Sequence, residues 1–336
     1  MAEDDPKTGI REGKGAAALD ADAGEPVRIL AMDIGGSHAT AAVVDLATGG
    51  MVKGAPVRKT TDPSASAEAI LRGWISSARE ALDAAGEPGV SGAGIAIPGP
   101  FDYDRGICLI RGLGKLESLY GMNIRRAFKA RLARLAGVPV IFRNDATCFG
   151  IGEVWRGGAR NCGNVICLTL GTGFGSSFIR DGVVVEAGDN VPPGGFLYSA
   201  AFRDGTAEDA FSSRGLVTRY AASEGGAEVD GAREIAERAV GGDEAARRVF
   251  MEYGVALGEF LEPWVRGFRA QCVAVGGNIA RAWEWFVPGL RSRLAASLPG
   301  VELRQAELFE DAALFGAARL PLLYREVNDD GENAGE

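Results

Sequence analysis

The chain has 336 residues, 46% of them hydrophobic and 49 of them glycine, which is enough for two compact domains with many turns. Its net charge of −9 sits mostly at the ends, since residues 1–26 and 325–336 each carry −4, and the body is close to neutral. That balance argues against a nucleic-acid-binding face, and no apolar run reaches the ~18 residues of a membrane span.

Residues 1–26 are polar and acidic and read as a disordered tail, as do residues 326–336. Five cysteines (Cys108, Cys148, Cys162, Cys167, Cys272) form no CxxC pair and are odd in number. They read as reduced thiols of a cytoplasmic protein.

Order is expected from Val27. Residues 27–46, VRILAMDIGGSHATAAVVDL, read as strand, turn, strand, with Gly35 and Gly36 at the tip of a hairpin. A third strand near 55–60 completes a meander. Residues 64–86 have helical spacing, with Ser64 or Ser66 as cap and Gly86 as stop. An apolar strand then ends in Pro98-Gly99-Pro100, and a helix over 123–136 leads to a strand at 139–142. This strand delivers Asn144-Asp145 to the start of a helix expected from Ala146. A strand at 165–170 runs into Gly171-Thr172-Gly173, and with 183–185 it opens a second sheet. Helices from Glu208, Glu234 and Asp243 follow. A strand at 272–275 ends in Gly276-Gly277-Asn278 ahead of a helix over 279–297; a strand at 301–306 and a helix at 311–324 close the chain. Two halves, each a mixed sheet flanked by helices, predict two α/β lobes with a cleft between them.

The motifs each carry two readings. Asp33 at the end of the first strand suits a metal held through water, with Gly35, Gly36 and Ser37 donating N–H groups to phosphates; an ordinary hairpin turn explains them equally. Residues 171–175 offer a second phosphate turn or a glycine-rich hairpin. Gly276, Gly277 and Asn278 leave room for an adenine ring or serve tight strand–helix packing. Asp145 is a candidate base for a hydroxyl proton, or the N-cap of the next helix. His38, the only histidine, reads as solvent-facing or at the phosphate edge, and its isolation weakens any Ser-His-Asp reading. The five tryptophans read as core.

Taken in order, these motifs resemble the ROK family of sugar kinases and repressors. AMDIGGSHATAAVVD is similar to its first phosphate motif and GIAIPGPFD to its sugar-side Pro-Gly turn. NDATCFGIGE resembles its Asn-Asp motif, LTLGTGFG its second phosphate motif, GTAEDAFSSRGL its Gly-Cys-x-Glu stretch, AVGGNIA its adenosine-side glycines and AALFGAARL its closing helix. The resemblance implies a two-lobed actin-like (ribonuclease H-like) ATPase fold with a central cleft. The small lobe is expected over 27–144, with the helix at 311–325 packing back on it, and the large lobe over 145–310.

It further implies an ATP- and Mg²⁺-dependent carbohydrate kinase, a homodimer as kin often are, that phosphorylates a hydroxyl of a hexose or hexose-like substrate. Asp145 is then the base, Asn144 and Glu208 hold sugar hydroxyls, and Pro98 and Gly99 line the sugar side. Asp33 serves the metal, while Gly35, Gly36, Ser37, Gly171, Thr172, Gly173, Gly276, Gly277 and Asn278 face the nucleotide.

Two departures stand out. The family's Gly-Glu-x-Gly-His stretch corresponds here to GGFLY, with Gly195 in place of Glu and Tyr198 in place of His. Nine residues separate Tyr198 from Glu208, none of them cysteine, and Thr206 stands at the usual cysteine position; a structural zinc, which takes about four soft ligands, is not expected. Loss of a charged acceptor points to a substrate altered at that edge: an amino sugar, a substituted sugar or a cyclitol. Gly195 is expected to open space there and Tyr198 to offer a ring. A catalytically weak sugar-binding protein of the same fold is the alternative. The short acidic stretch ahead of Val27 does not read as a helix-turn-helix, which disfavours a repressor.

Overall fold

The computed structural model describes residues 27–326 except 54, 55 and 88. The expected acidic tails lie outside the described residues, save Glu326. Its carboxylate is held, taking Lys129 Nζ at 2.7 Å and the Val140 N–H at 2.8 Å.

In chain order, β1 (Arg28–Ile34) and β2 (His38–Asp45) form the first hairpin, followed by β3 (Gly50–Met51) and β4 (Val57–Thr60). Helix α1 (Ala67–Ala85) is capped by Ser66, whose side chain accepts the Ala69 N–H, and stops at Gly86. Next come β5 (Gly92–Ala96), the small ribbon β6 (Phe101–Asp102) and β7 (Ile107–Cys108), α2 (Ile124–Arg131), β8 (Val140–Arg143) and α3 (Asp145–Trp155). The helix expected to reach residue 136 ends at Arg131; Leu132 is extended, and a 3-10 turn (Ala133–Leu135) finishes the segment.

The second half begins with β9 (Asn164–Leu170), β10 (Phe174–Arg180) and β11 (Val183–Val184). A ribbon of β12 (Ala201–Phe202) and β13 (Gly205–Thr206) leads into α4 (Ala207–Phe211), α5 (Ser213–Ala221), α6 (Ala232–Val240) and α7 (Glu244–Phe268). β14 (Cys272–Gly276), α8 (Trp283–Ala295), β15 (Glu302–Gln305) and α9 (Ala312–Leu323) complete the fold. Between β14 and α8, residues Ile279–Ala282 wind as a 3-10 turn, so the α-helix starts four residues later than expected.

The two large sheets share one plan. The first runs β3-β2-β1-β5-β8 with β4 also on β2, and the second runs β11-β10-β9-β14-β15. In each, a central strand (β1 or β9) pairs antiparallel with its hairpin partner on one side. On its other side it pairs parallel with a later strand, β5 or β14. The parallel strands β5 and β14 are buried throughout, as sheets covered on both faces require. The two glycine turns therefore occupy the same place in each sheet, at the tip of the hairpin that begins on the central strand.

Three apolar clusters hold the fold. One lies on the outer side of the first sheet around Trp74, Phe128 and Phe142, and another on the second around Phe178, Phe211, Tyr253 and Phe286. The third joins the two sheets through α3 and α9 and takes in Ile29, Ala31, Cys148, Phe149, Cys167, Ala274, Ala317 and Leu320. Helix α9 packs on β5, β1 and β8, while α3 packs on β9 and β10, and the two helices pack on each other. Small residues permit this. A Cβ at Gly94 would strike the Ala317 carbonyl, one at Gly152 the Ala312 carbonyl, and one at Gly316 the Cys148 carbonyl. No helix among the described residues is long and apolar enough to cross a membrane.

Candidate active site

The helix α3 that joins the sheets starts at the cleft. Asn144 is its N-cap, extended at φ −59° and ψ 146°, with Oδ1 accepting the Ala146 N–H at 3.0 Å. The capping role that offered a bland account of Asp145 thus falls to its neighbour. Asp145 Oδ1 shares the same N–H, also at 3.0 Å, and the residue stays exposed at the cleft floor.

Asp33, near the tip of β1, and Asp145 line one cavity of about 190 Å³, together with Thr169, Gly277, Asn278, Arg281, Phe309 and Glu310. Crowding by protein on the cleft floor raises the Asp145 carboxyl above its ordinary range, against the pull of the Ala146 N–H and the Lys115 ammonium. Burial, reinforced by the charge of Asp145 and opposed by Arg58, pushes Asp33 up to about 7. Two carboxylates held above their usual range in one cavity are what a divalent cation relieves.

Neither glycine turn lines this cavity itself: the first follows Asp33 by two residues, and at the second a Cβ on Gly171 would stand 4.0 Å from the backbone nitrogen of the lining residue Asn278. At the first, Gly35 lies so close to the His38 ring that a Cβ would come within 2.7 Å of its Cε1, and Gly36 sits beneath the Lys115 side chain. Ser37 is exposed. His38 is half-buried, and burial first, then Arg58, keeps its imidazole below the ordinary range and hence neutral near pH 7. At the second turn, Thr172 and Gly173 are exposed. The Gly171 carbonyl takes both the N–H and the hydroxyl of Ser213, at 2.7 and 2.8 Å. Gly277, at φ 83°, lies directly on Leu170, so residues 170–173 and 276–278 form one wall. Here the packing account of the glycines holds for two of them: a Cβ at Gly276 would strike the Phe149 ring and one at Gly277 the Leu170 backbone. Asn278 faces the cavity.

On the opposite flank, Pro98 is buried and Gly99 lies against the Tyr103 hydroxyl, which donates to the Ile97 carbonyl at 3.3 Å. Asn144 Nδ2 donates to the same hydroxyl at 3.3 Å. The Asn144 amide also acts on the Asp145 carboxylate, so both its N–H groups and one carbonyl lone pair are engaged, which leaves one lone pair for a ligand. Glu208 Oε2 accepts the Phe174 N–H at 2.6 Å, and Oε1 is the nearest atom to Gly173. Its carboxylate thus closes the second turn.

The structure corrects the expectation for Gly195. The residue is buried, at φ 74°, and its carbonyl accepts the Ser176 hydroxyl at 2.7 Å. It opens no space; the left-handed backbone of this turn accounts for a glycine. Tyr198 is 50% exposed, with its carbonyl accepting the Glu208 N–H at 2.9 Å.

Several residues at the cavity escaped the sequence reading. Arg281 stands one helical turn after the third glycine cluster. Glu310 pairs with Arg281 at 3.5 Å and with Arg58 at 3.3 Å, which joins the two sides of the cleft. Tyr103 and Lys115 do not line the cavity but touch Asn144 and Gly36, and they come from the long connection after β5. Only the glycine-flanked run RGLGKL hinted at Lys115.

Comparison with known proteins places this geometry. The ROK family matches residues 29–322. The chain is 27% identical over 322 residues to a glucokinase of Thermotoga maritima, covering 88% of this chain and 97% of that protein. It is 29% identical over 256 residues to a beta-glucoside kinase of Klebsiella pneumoniae, covering 73% and 83%. Among solved structures, a ROK family glucokinase from Streptomyces griseus in complex with glucose and AMPPNP superposes with a TM-score of 0.65 at 24% identity, over 87% of this chain and 97% of that one. The two sheets of one plan are the two lobes of an actin-like ATPase fold, and the chain belongs to the ROK family.

Proposed function

We propose that this protein transfers a phosphoryl group from ATP to a hydroxyl of a hexose or hexose-like molecule, with Asp145 as the general base. The class, a carbohydrate kinase, rests on the family match over residues 29–322 and on the sugar-kinase relatives. The observation that carries the finer reading is the placement of Asp145 and Asp33 on one cavity, with Asp33 two residues before one glycine turn and the other turn equivalently built in the second sheet.

Asp145 takes the acceptor proton, and its raised pKa makes it a stronger base than a free aspartate. Asn144, through its remaining carbonyl lone pair, and Glu208 orient neighbouring sugar hydroxyls. The amides of Gly35, Gly36, Ser37, Gly171, Thr172 and Gly173 meet the phosphates. Asp33 would hold Mg²⁺ through water, and the ion, when bound, supplies charge neutralisation on the phosphate oxygens. Most of the acceleration comes from alignment and fixed charge.

The acceptor is a hexose altered near C1–C2, or a cyclitol. Support comes from Tyr198, half-exposed and with its carbonyl accepting the Glu208 N–H, and from relatives that are a beta-glucoside kinase and an N-acetyl-D-glucosamine kinase. ADP release measured across glucose, N-acetylglucosamine, a β-glucoside and myo-inositol tests both parts. Turnover with an altered sugar above glucose is expected. Binding heat with no turnover on any acceptor would make the protein a sugar binder, and glucose far above every analogue would overturn the specificity.

A further inference from the structure

Lys115 occupies a position that the reaction as described leaves unused. Its side chain crosses Gly36 of the first glycine turn, with Cδ 3.6 Å from where a Cβ would stand. Its ammonium is the cation acting on Asp145. The lysine therefore spans the gap between a phosphate turn and the candidate base.

Its setting is rigid. The Gly114 N–H is held by Glu117 Oε1 at 2.8 Å, and the Leu116 N–H by the Pro63 carbonyl at 2.7 Å. The Ser118 hydroxyl donates to the Ala65 carbonyl at 2.8 Å. Leu116 is fully buried yet sits at φ 56°, a left-handed conformation that is strained for a leucine. Strain of this kind next to a cleft marks a side chain whose placement matters. Other cations around the cleft are committed: Arg58 and Arg281 to Glu310, and Arg143 to Asp104. Lys115 lies within 4 Å of no carboxylate oxygen among the described residues.

We infer that Lys115 is a further catalytic residue, whose ammonium contacts the phosphoryl group as it passes from the first glycine turn to the oxygen held by Asp145. This rests on the kinase reading above. In that step the acceptor oxygen bonds to the γ-phosphorus, the bond from that phosphorus to the ADP oxygen breaks with its electron pair, and the hydroxyl proton goes to Asp145. The Lys115 side chain gives up no proton in this step and balances charge that is spread over the equatorial oxygens in the transition state.

Lys115→Met keeps the stem over Gly36 and removes only the charge. The expected result is a loss of about 10²–10³ in kcat, the range for a removed transition-state donor, with the acceptor KM and the melting temperature little changed. Lys115→Arg should recover part of the loss. As a readout without turnover, titration of ADP, Mg²⁺ and aluminium fluoride should show the methionine variant binding this transition-state mimic weaker by a comparable factor, with ADP alone bound as before. An active wild type with an unimpaired Lys115→Met variant, or undiminished binding of the fluoride complex, overturns the inference alone. A wild type that turns over no acceptor overturns the kinase reading, and the inference with it.

Discussion

Asp33 and Asp145, from the tip of β1 and the first turn of α3, present their carboxylates to the same cavity, and the charge of Asp145 helps hold Asp33 near pH 7. The two residues come from β1 and from the helix start after β8, strands that sit on either side of β5, and α3 packs against the closing helix α9.

That pairing has a pH signature. A folded-state pKa of about 7, against an ordinary value of 3.8, means that the folded chain keeps a proton the unfolded chain has already lost. Stability contributed at this site is present below the ordinary pKa and declines as pH rises through the window up to about 7. Asp33→Asn should remove that decline. Urea denaturation of the free protein between pH 4.5 and 8 should show the variant gaining on the wild type up to about pH 7 and then levelling off. Parallel curves would show that Asp33 is ordinary.

Glu153, fully buried in α3, gives a second test. Its Oε2 accepts the N–H groups of Gly158 (2.7 Å) and Glu307 (3.1 Å), and Oε1 accepts that of Leu308 (2.9 Å). It thereby anchors the loop that carries Phe309 and Glu310 to the cavity. In Glu153→Gln an amide N–H must face a backbone N–H. A loss of about 2–3 kcal/mol is expected, read by urea denaturation, together with weaker nucleotide binding as the loop shifts.

Gly316→Ala probes the seam between the lobes. A Cβ there meets the Cys148 carbonyl of α3, and backbone on both sides leaves no flexible group to yield. Overpacking of this kind costs about 1–3 kcal/mol. Because α3 also carries Asp145, turnover should fall more than stability alone explains. A variant with both properties intact would show that the helices separate freely.

Much of this site was legible in the sequence because each part sits at an element boundary with its own local chemistry. Gly35-Gly36 and residues 171–173 mark hairpin tips, and Asn144-Asp145 marks a strand-to-helix junction; both signals are short-range. What stayed hidden was set by packing at long range. Lys115 and Tyr103 lie on a connection whose path is fixed by contacts with Pro63 and Ala65 and with Ile97 and Asn144. Gly195 illustrates the converse error. A missing carboxylate suggested an open pocket, whereas the residue is a glycine for its backbone angle, which a sequence does not display. The glycines of α3 and α9 were likewise silent, since only the facing helix shows why a side chain is excluded.

The proposed reaction turns on Asp145 removing the acceptor proton. Asp145→Asn keeps the shape and the shared Ala146 N–H contact while abolishing basicity, so the variant should fold with an unchanged circular dichroism spectrum and bind ADP normally. Its kcat on the best acceptor from the sugar panel should fall by about 10²–10⁴ or more, with the acceptor KM changed only a few-fold. Turnover near the wild-type rate would contradict the account.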